Sequence, residues 1–458
     1  SSMRITPISH PLNAAVRVPG SKSLTNRALL IAALANGRTK LTNALFSDDS
    51  NYFAKALQEL GFDVQLDETN SEMTVQGLGG KIPAPNAELF IGNAGTAARF
   101  LSAFLTLGHG EYVLNGEPRM RERPIHDLVH ALTQLGAIIA TADDKPWAMN
   151  FRPSSVDSSQ VFLPVKITAD GLRGGKTKIA GDISSQFLSA LLMVAPYAES
   201  PIEIELTTEL NSKPYVDMTI AIMQDFGVEV QRNDYRSFTV PITKYQSPIS
   251  SLQSPISNTQ FSNSPILSSY SIESDASAAS YFFAAPAICG GTVKVENISR
   301  NSVQGDIKFL DVLTQMGCTV TETDHCLLVT GHSELRGIDI DLRDLPDAAQ
   351  TLAAIAPFAT SPTRIRGIAS ARPKETDRVH ATCAELARLG VQVDEHEDGM
   401  TIYPCQTFQP ATIQTYNDHR MAMAFSLIGL RFDGVTIENP SCVSKTFPNF
   451  FEVFESLR

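Results

Sequence analysis

Positively charged side chains stand in short motifs at five places along the chain. Three arginines alternate with other residues in 119–123, and Lys374 lies four residues before Arg378. In an extended segment the three arginines would share one face, and on a helix Lys374 and Arg378 would form an unfavourable pair of like charges. Because neither pattern stabilises a fold, we expect these cations to bind anions. The motifs are Lys22 with Arg27, Arg119–Arg123, Lys374–Arg378, His419-Arg420 and Lys445.

Two carboxylates accompany these cations. Glu375 directly follows Lys374, and Asp347 precedes an apolar helix. A carboxyl group beside bound substrate can accept or donate a proton, although an aspartate at this position can also simply cap its helix. Several guanidinium and ammonium groups together favour one or two ligands with more than one phosphate or carboxylate. The residues therefore predict a site for small polyanions.

The sequence lacks the common motifs for binding nucleotides and metals, or has them without the neighbouring elements that they need. No GxxxxGK[ST] phosphate loop occurs, and the glycines of 77–80 precede Pro83 and Pro85 where a dinucleotide fingerprint needs a helix. His126 and His130 have the spacing of metal ligands but no third ligand nearby. We expect no metal and no cofactor.

Composition narrows the class of protein. The 458 residues are 43% hydrophobic and 19% charged, which is typical of folded chains of two or three domains. The formal net charge of −12 makes nucleic acid an unexpected partner. Apolar runs are shorter than the roughly 20 residues of a membrane helix, so we expect no membrane partner. The cysteines form no CxxC motif, which indicates a reducing cytoplasm.

The elements that must position these residues recur along the chain. Five times an amphipathic helix ends at a glycine and is followed by an alternating strand, and residues 450–455 predict a sixth helix that lacks its strand. The five glycines are Gly61, Gly136, Gly227, Gly317 and Gly390.

A second helix interleaves with the first and is apolar nearly all round, so it must be buried. The N-terminal N–H groups of such a helix carry partial positive charge and can bind anions. The sequence therefore predicts six units, each with a buried helix, an amphipathic helix and several strands. The polar turns before the buried helices are Ser21–Arg27, Gly92–Thr96, Asp182–Gln186, Asp275–Ser277, Asp347–Gln350 and Asn417–Arg420.

A segment without periodicity lies between the third and fourth units. Residues 246–269 contain Ser-Pro-Ile at 247–249, 254–256 and 264–266. Such a composition is typical of a surface insertion. It marks the boundary between the two halves of the chain.

In this order, and over nearly the whole chain, the motifs resemble those of the 5-enolpyruvylshikimate-3-phosphate synthases. The matching segments are Pro19–Arg27, Gly92–Thr96, Gly116–Pro124, Ser184–Gln186, Ser212–Tyr215, Pro346-Asp347, Lys374–Arg378, Asn417–Arg420 and Lys445–Pro448.

The resemblance implies a fold and a reaction. The fold is mixed α/β: two similar domains, each of three βαβαββ units, with the active site in the interdomain cleft. The domains are 21–271, and 1–20 with 272–458. The family transfers the enolpyruvyl group of phosphoenolpyruvate to the 5-hydroxyl of shikimate 3-phosphate through a tetrahedral intermediate, releasing phosphate, in the shikimate pathway. A cytoplasmic monomer is expected.

The resemblance also implies roles for individual residues. Asp347 accepts the hydroxyl proton, and Glu375, helped by Lys22, protonates the methylene carbon of phosphoenolpyruvate. The residues expected to hold shikimate 3-phosphate are Lys22, Ser23, Arg27, Ser184, Ser185, Gln186, Ser212, Tyr215, Asp347, Ser370 and Lys374. Those expected to hold phosphoenolpyruvate are Lys22, Asn93, Gly95, Arg123, Gln186, Arg378, Arg420 and Lys445.

Two positions depart from the family pattern. Ser370-Ala371 stands where the family usually has Asn-Trp, and Phe100 stands where a proline is common after Arg99. Ser370 keeps a hydroxyl group but lacks the amide. Because Phe100 lies about one helical turn from Gly95, we expect an altered response to glyphosate, the family's inhibitor at the phosphoenolpyruvate site.

Two alternative functions remain at this point. One is the sister enzyme that transfers enolpyruvyl to a UDP-amino sugar, which typically uses a loop cysteine as its acid; here the first cysteine is Cys289, far beyond the loop before Arg119. The other is a non-catalytic anion-binding protein on the same scaffold. Asp347, Glu375 and Lys22 are all present, so the sequence gives no sign of lost chemistry.

Overall fold

The repeat predicted from the sequence is present in the structure, a computed structural model that describes residues 1–142, 151–153, 160–182, 184–248 and 268–458. Most of the predicted insertion 246–269 lies outside these described residues. The chain divides into two compact units, each of which has its own hydrophobic core. The N-terminal unit is Ser21–Ile272, and the C-terminal unit is Ser1–Gly20 together with Glu273–Arg458.

The elements of the first part of the chain are β1 (Ser2–Arg4), β2 (Leu12–Val16), α1 (Lys22–Leu34), β3 (Asn36–Thr42), α2 (Asp48–Glu59), β4 (Val64–Asp67), β5 (Glu72–Leu78), β6 (Asn86–Phe90), α3 (Gly95–Phe104), β7 (His109–Asn115), α4 (Pro118–Glu122), α5 (His126–Gln134), β8 (Ile138–Ala142), β9 (Phe151–Pro153), β10 (Val165–Asp170), β11 (Gly175–Ile179), α6 (Ser185–Val194), β12 (Ile202–Leu206), α7 (Lys213–Asp225), β13 (Gln231–Asn233), β14 (Ser237–Val240) and β15 (Ser268–Ser271).

Those of the second part are α8 (Ala276–Cys289), β16 (Gly291–Val295), α9 (Phe309–Met316), β17 (Thr319–Thr323), β18 (Cys326–Gly331), β19 (Asp339–Asp341), α10 (Ala349–Ile355), β20 (Thr363–Arg366), α11 (Arg378–Arg388), β21 (Val393–His396), β22 (Gly399–Ile402), β23 (Ala411–Ile413), α12 (His419–Gly429), β24 (Val435–Glu438) and α13 (Phe450–Glu455). Short 3-10 turns occur at Leu105–Leu107, Ala195–Tyr197, Gly305–Lys308, Pro346–Ala348, Ala356–Phe358, Ala369–Ala371 and Pro440–Lys445.

One sheet topology recurs along the chain. In the third repeat β11 pairs parallel with β12, β12 pairs antiparallel with β14, and β14 pairs antiparallel with β13. The fifth repeat has the same order in β19, β20, β22 and β21. With their two helices these strands form βαβαββ units, which confirms the predicted mixed α/β class.

Strands distant in sequence complete three of the repeats. β15 pairs parallel with β3 in the first repeat, and β2 pairs parallel with β16 in the fourth. In the last repeat, whose own strand the sequence lacks, β1 from the chain start pairs antiparallel with β24. Each of these sheets therefore closes only when segments far apart in sequence have come together.

The buried helices and the glycine caps follow the sequence pattern. Every residue of α3 and α12 is buried, including Arg99 and Arg420, and the rest of each helix is largely apolar. Within the described ranges no helix is long and apolar enough to cross a membrane. The glycines after the amphipathic helices all have positive φ, where a side chain would be strained: Gly61, Gly136, Gly227, Gly317 and Gly390.

Two local arrangements differ from those considered in the sequence analysis. The arginines of 119–123 do not alternate on an extended segment, because Pro118 starts the short helix α4 that ends at Glu122. Lys374 does not lie on a helix with Arg378, because α11 begins at Arg378 with Asp377 as its N-cap. Lys374 instead belongs to the preceding turn, so it escapes the repulsion expected for a helical pair.

Gly331 provides a test of how tightly the fourth repeat is packed. β18 crosses the end of α8 so closely that a Cβ at Gly331 would lie 1.6 Å from the backbone oxygen of Pro286. We expect Gly331→Ala to lower the free energy of unfolding by about 2–3 kcal/mol, since strand and helix must separate. Thr330→Ala, which removes only a hydroxyl pair with Thr292, should cost about 1 kcal/mol. Urea denaturation followed by circular dichroism measures both; equal losses would contradict this account.

Candidate active site

Polar side chains gather at the helix starts of the N-terminal unit. Helices α1, α3, α6 and α7 pack on one another. Ser21 caps α1 by accepting a hydrogen bond from the backbone N of Leu24, and Ser184 caps α6 by accepting one from that of Gln186, each at 3.2 Å. Charged and polar side chains lie at and beside these helix starts. We call them the N-terminal cluster, which comprises Lys22, Arg27, Arg99, Arg123 and Gln186.

Arg27 is a buried cation whose partners are uncharged. Its Nε donates to Oγ1 of Thr219 at 2.7 Å, one Nη to Oγ of Ser189 at 3.2 Å, and the other to the backbone oxygen of Ser23 at 3.1 Å. In the described part of the chain no carboxylate pairs with it. Burial lowers the pKa of Arg27 to about 10, so the guanidinium stays charged at neutral pH and can bind an anion.

Arg99 and Gln186 join α3 to α6. Nη1 of Arg99 donates to Oε1 of Gln186 at 2.7 Å, and Nε2 of Gln186 donates to Oγ1 of Thr96 at 3.0 Å. These bonds fix the orientation of the Gln186 amide at the start of the buried helix α6. Arg99 is therefore a positioning residue of the cluster that the sequence analysis did not assign.

The Arg123 guanidinium lies against Gly95 and Asn93. Nη1 of Arg123 donates to both the backbone oxygen and Oδ1 of Asn93, each at 3.0 Å. A Cβ on Gly95 would lie 2.3 Å from the guanidinium of Arg123. The glycine is required here because it lets a buried guanidinium approach the first turn of α3.

Lys22 opens helix α1 and faces an acid from α2. Its Nζ lies 3.6 Å from Oδ2 of Asp49, and both side chains are largely buried. This lysine lies beside the N-terminal N–H groups of α1, whose partial charge is also positive. Asp49, which the sequence analysis did not assign, offsets that repulsion.

The remaining predicted residues of this unit stand at the starts of α6 and α7. Ser185 is buried in the first turn of α6. Ser212 precedes α7 in a left-handed conformation, with φ of 56°, which is strained for a residue other than glycine and typical of ligand sites. Tyr215 lies in the first turn of α7, within electrostatic range of Arg27.

Phe100 lies inside the N-terminal unit and contacts the same arginine. It is fully buried in α3, and the Arg27 guanidinium lies 5.3 Å from the centre of its ring. A cation over an aromatic face is attracted to it. The ring of Phe100 therefore helps to hold the Arg27 guanidinium in place.

In the C-terminal unit, Arg378 joins three carboxylates. Its Nε donates to Oδ2 of Asp418 at 2.9 Å, its Nη1 donates to Oδ1 of Asp347 at 3.1 Å, and its Nη2 donates to Oε2 of Glu375. These carboxylates raise the pKa of Arg378 further above its already high ordinary value, although burial opposes them. The C-terminal cluster comprises Asp347, Glu375, Arg378, Arg420 and Lys445.

Arg420 approaches Asp347 from α12. Its Nη2 lies 3.4 Å from Oδ2 of Asp347, and its Nη1 donates to the hydroxyl of Tyr281 at 3.3 Å. Its Nε is buried and makes no hydrogen bond within the described residues. Asp347 thus accepts from two arginines at once, and Arg420 retains a donor for a ligand.

Lys445 is the least compensated cation of this unit. The residue is 7% exposed, and its Nζ is buried without a hydrogen-bond acceptor in the part of the chain that the structure describes. A buried ammonium group normally has an acceptor, because it has lost its water. This arrangement points to an anionic ligand.

The loop before α11 carries the other predicted residues. Ser370 is half-buried in the 3-10 turn Ala369–Ala371, and Lys374 is half-buried beside the buried Glu375. Asp347 and Glu375 both accept from Arg378, and carboxyl groups are of the type that accepts and donates protons in active sites. The C-terminal cluster therefore places carboxylates directly beside buried cations.

The structure brings some of the predicted residues into direct contact: Arg123 with Asn93 and Gly95 in the N-terminal unit, and Arg378 and Arg420 with Asp347 in the C-terminal unit. Sequence reasoning missed three residues: Arg99, which orients Gln186, and Asp49 and Asp418, which neutralise predicted cations. Asp418 lies inside the quoted motif 417–420, where it caps α12, so the motif could have indicated it. Arg99 and Asp49 gave no comparable signal.

Comparisons with known proteins agree on one family. The family described as EPSP synthase (3-phosphoshikimate 1-carboxyvinyltransferase) matches residues 6–454. A 3-phosphoshikimate 1-carboxyvinyltransferase of Trichormus variabilis is 46% identical over 99% of this chain and 98% of its own, and one of Sulfurovum is 47% identical over 100% and 99%. The solved EPSP synthase of Acinetobacter baumannii matches with a TM-score of 0.76 at 25% identity, covering 100% of this chain and 98% of that one.

Lys445 allows the cost of an uncompensated cation to be measured. We expect Lys445→Met to raise the free energy of unfolding of the ligand-free chain by about 1 kcal/mol, since it removes a buried charge and keeps the apolar stem. Lys308→Met, at an exposed lysine in another 3-10 turn, is the control and should change it by less than about 0.5 kcal/mol. Thermal melts of the ligand-free proteins decide this; destabilisation by Lys445→Met would contradict the assignment.

Proposed function

Because the chain belongs to the EPSP synthase family, we propose that its two clusters hold the two substrates of that family's reaction. The chain is a transferase that moves the enolpyruvyl group of phosphoenolpyruvate to shikimate 3-phosphate in the shikimate pathway. The sequence-based assignment of family and reaction is thereby confirmed. The proposal concerns which residues perform it.

Shikimate 3-phosphate is proposed to bind at the starts of α1, α6 and α7. The supporting observation is that Arg27 is buried, charged and paired only with neutral groups. A phosphate would supply the missing negative charge and accept from the N–H groups of the helix starts. The proposed ligands in this unit are Lys22, Ser23, Arg27, Ser184, Ser185, Gln186, Ser212 and Tyr215; Ser370, Lys374 and Asp347 of the C-terminal unit would complete the set.

Phosphoenolpyruvate is proposed to bind to the arginines of the C-terminal cluster and to Lys445. The observation that carries this is the buried Lys445 ammonium group without an acceptor in the described structure. Arg378 and Arg420 already hold Asp347, so a ligand carboxylate or phosphate would share these donors. Lys22, Asn93, Gly95, Arg123 and Gln186 of the N-terminal unit would contribute the remaining contacts.

The proton transfers follow from the carboxylates. Asp347 accepts the proton of the 5-hydroxyl as that oxygen attacks C2 of phosphoenolpyruvate, while Glu375, helped by Lys22, delivers a proton to the methylene carbon. The tetrahedral adduct then loses a methyl proton to Glu375, the C2–O bond to phosphate breaks, and the carbon–carbon double bond returns. The cations stabilise the charge on the departing phosphate.

Phosphate release tests these roles. We expect release only when both substrates are present, and a loss of turnover of at least about 100-fold in Lys22→Ala with circular dichroism unchanged. Lys81→Ala, at an exposed lysine of the same unit, should behave as wild type. Near-normal turnover of Lys22→Ala would refute its role, and release with a UDP-amino sugar in place of shikimate 3-phosphate would refute the substrate.

Glyphosate is proposed as an inhibitor whose affinity depends on Phe100. Replacing the ring that supports Arg27 alters the packing of α1 against α3, so we expect Phe100→Pro to change the inhibition constant by about threefold or more. Phe100→Leu, which keeps α3 intact, separates loss of the ring from the effect of proline. Equal inhibition constants for wild type and Phe100→Pro would contradict this.

A cytoplasmic monomer is also proposed. The support for the compartment is that all six cysteines are free thiols, which suits a reducing environment. Size-exclusion chromatography with light scattering would decide the oligomeric state.

A further inference from the structure

A buried carboxyl group lies within electrostatic range of the C-terminal cluster but has no assigned role in substrate binding or catalysis. Asp306, in the 3-10 turn Gly305–Lys308, is 5% exposed. Its Oδ2 accepts a hydrogen bond from the hydroxyl of Ser277 in the first turn of α8. Its Oδ1 is buried and makes no hydrogen bond with the described residues. A buried acid with half of its oxygens unsatisfied is costly when charged.

Helix α8 connects this acid to the assigned residues. It packs against the 3-10 turn of Asp306, against the 3-10 turn that carries Asp347, and against α10 and α12. Tyr281 follows Ser277 by one helical turn and contacts Arg420. Ser277 and Tyr281 therefore lie on one face of α8, where the first contacts Asp306 and the second contacts Arg420.

The charges that act on Asp306 come from several elements. Asp347 and Asp275 repel its negative charge, and Arg420 attracts it. Asp275 is the N-cap of α8, and Arg420 lies in the first turn of α12. Lys308 on the same turn is exposed, and Asp311 of the neighbouring α9 is exposed and pairs with Arg300.

The balance of these effects brings the titration of Asp306 into the working range of an enzyme. Burial, followed by the charge of Asp347, raises the pKa of Asp306 to about 7. The Ser277 hydroxyl and Arg420 act in the opposite direction. Below that pH the carboxyl is neutral, and above it the cluster gains one negative charge.

We propose that Asp306 is a positioning residue whose charge state sets how strongly Arg420 binds the anionic substrate. The inference rests on the proposed assignment of Arg420 to phosphoenolpyruvate. When Asp306 is neutral, the acids that act on Arg420 are Asp347 and Asp275, and the ligand adds to them. When Asp306 ionises, its charge competes with the ligand for the same guanidinium and repels the incoming anion.

The direction of the pH dependence follows from this. The KM for phosphoenolpyruvate of the wild type should rise as the pH passes through about 7, whereas Asp306→Asn should lack this rise because its amide cannot ionise. The ionisation of phosphoenolpyruvate itself is the same in assays of every variant. The ratio of the two KM values therefore reports only the ionisation of Asp306. We expect a wild-type to Asp306→Asn ratio near one at pH 5.5 and roughly threefold to tenfold at pH 8.5.

A second variant moves the titration without removing the acid. Ser277→Ala deletes a hydrogen bond that favours the ionised carboxylate, so the rise in KM should shift to higher pH by up to about one unit. Asp311→Asn, which changes an exposed acid on the neighbouring helix, is the matched control and should keep the wild-type profile. Circular dichroism melts at pH 5.5 and 8.5 report folding of each variant.

The experiment separates this inference from the proposed function. Steady-state kinetics of phosphate release give kcat and KM for both substrates from pH 5.5 to 8.5 in wild type, Asp306→Asn, Ser277→Ala, Asp311→Asn and Arg420→Lys. A changed KM profile for phosphoenolpyruvate in Asp306→Asn and Ser277→Ala, with that of Asp311→Asn unchanged, supports the proposal.

Two outcomes overturn different statements. Parallel profiles in wild type, Asp306→Asn and Ser277→Ala, combined with a raised KM for phosphoenolpyruvate in Arg420→Lys, would overturn the role of Asp306 alone. A wild-type KM in Arg420→Lys would overturn the assignment of Arg420 and, with it, this inference. If Asp306→Asn does not fold, an unshifted profile in Ser277→Ala is sufficient to refute the proposal.

Discussion

The constraint on which this structure depends is the burial of positive charge, in part at helix starts. Helix N-termini already carry partial positive charge, so a cation placed beside them raises the free energy of the ligand-free chain. Arg378 is compensated by three carboxylates, Arg27 by neutral acceptors, and Lys445 by no hydrogen-bond acceptor in the described structure. In the proposed assignment, the binding of anionic substrates offsets these costs. The proposal therefore explains why cations are buried where they do not stabilise the ligand-free fold.

The carboxylates of the C-terminal cluster have two roles. Asp347 and Glu375 neutralise Arg378 before substrate arrives, and they are also the groups proposed to move protons. In the proposed mechanism, an incoming carboxylate or phosphate takes over part of the hydrogen bonding of Arg378, which releases the two acids for proton transfer. The same guanidinium then couples binding to catalysis in that proposal. The inferred role of Asp306 extends this coupling to pH.

The repeat explains where such sites can occur. Each βαβαββ unit needs one helix that is apolar all round to fill its core, and the start of that helix is the part that can stay polar. Because they fill the core, these helices are all largely apolar. The starts of α1, α3, α6 and α12, in contrast, carry different polar residues. Most of the residues proposed to bind substrate accordingly lie at helix starts and in the turns before them.

The sequence by itself determined the repeated helices, their glycine ends, the motifs and the family, because these depend on short-range periodicity, backbone conformation and local residue order. Only the tertiary structure decided that β1 completes the last sheet and β15 the first, since pairing between distant segments leaves no local signal. It also showed that Asp49 and Asp418 neutralise predicted cations and that Arg99 orients Gln186. Which side chain each of them contacts is set by the packing of helices, which brings together residues that are far apart in the sequence.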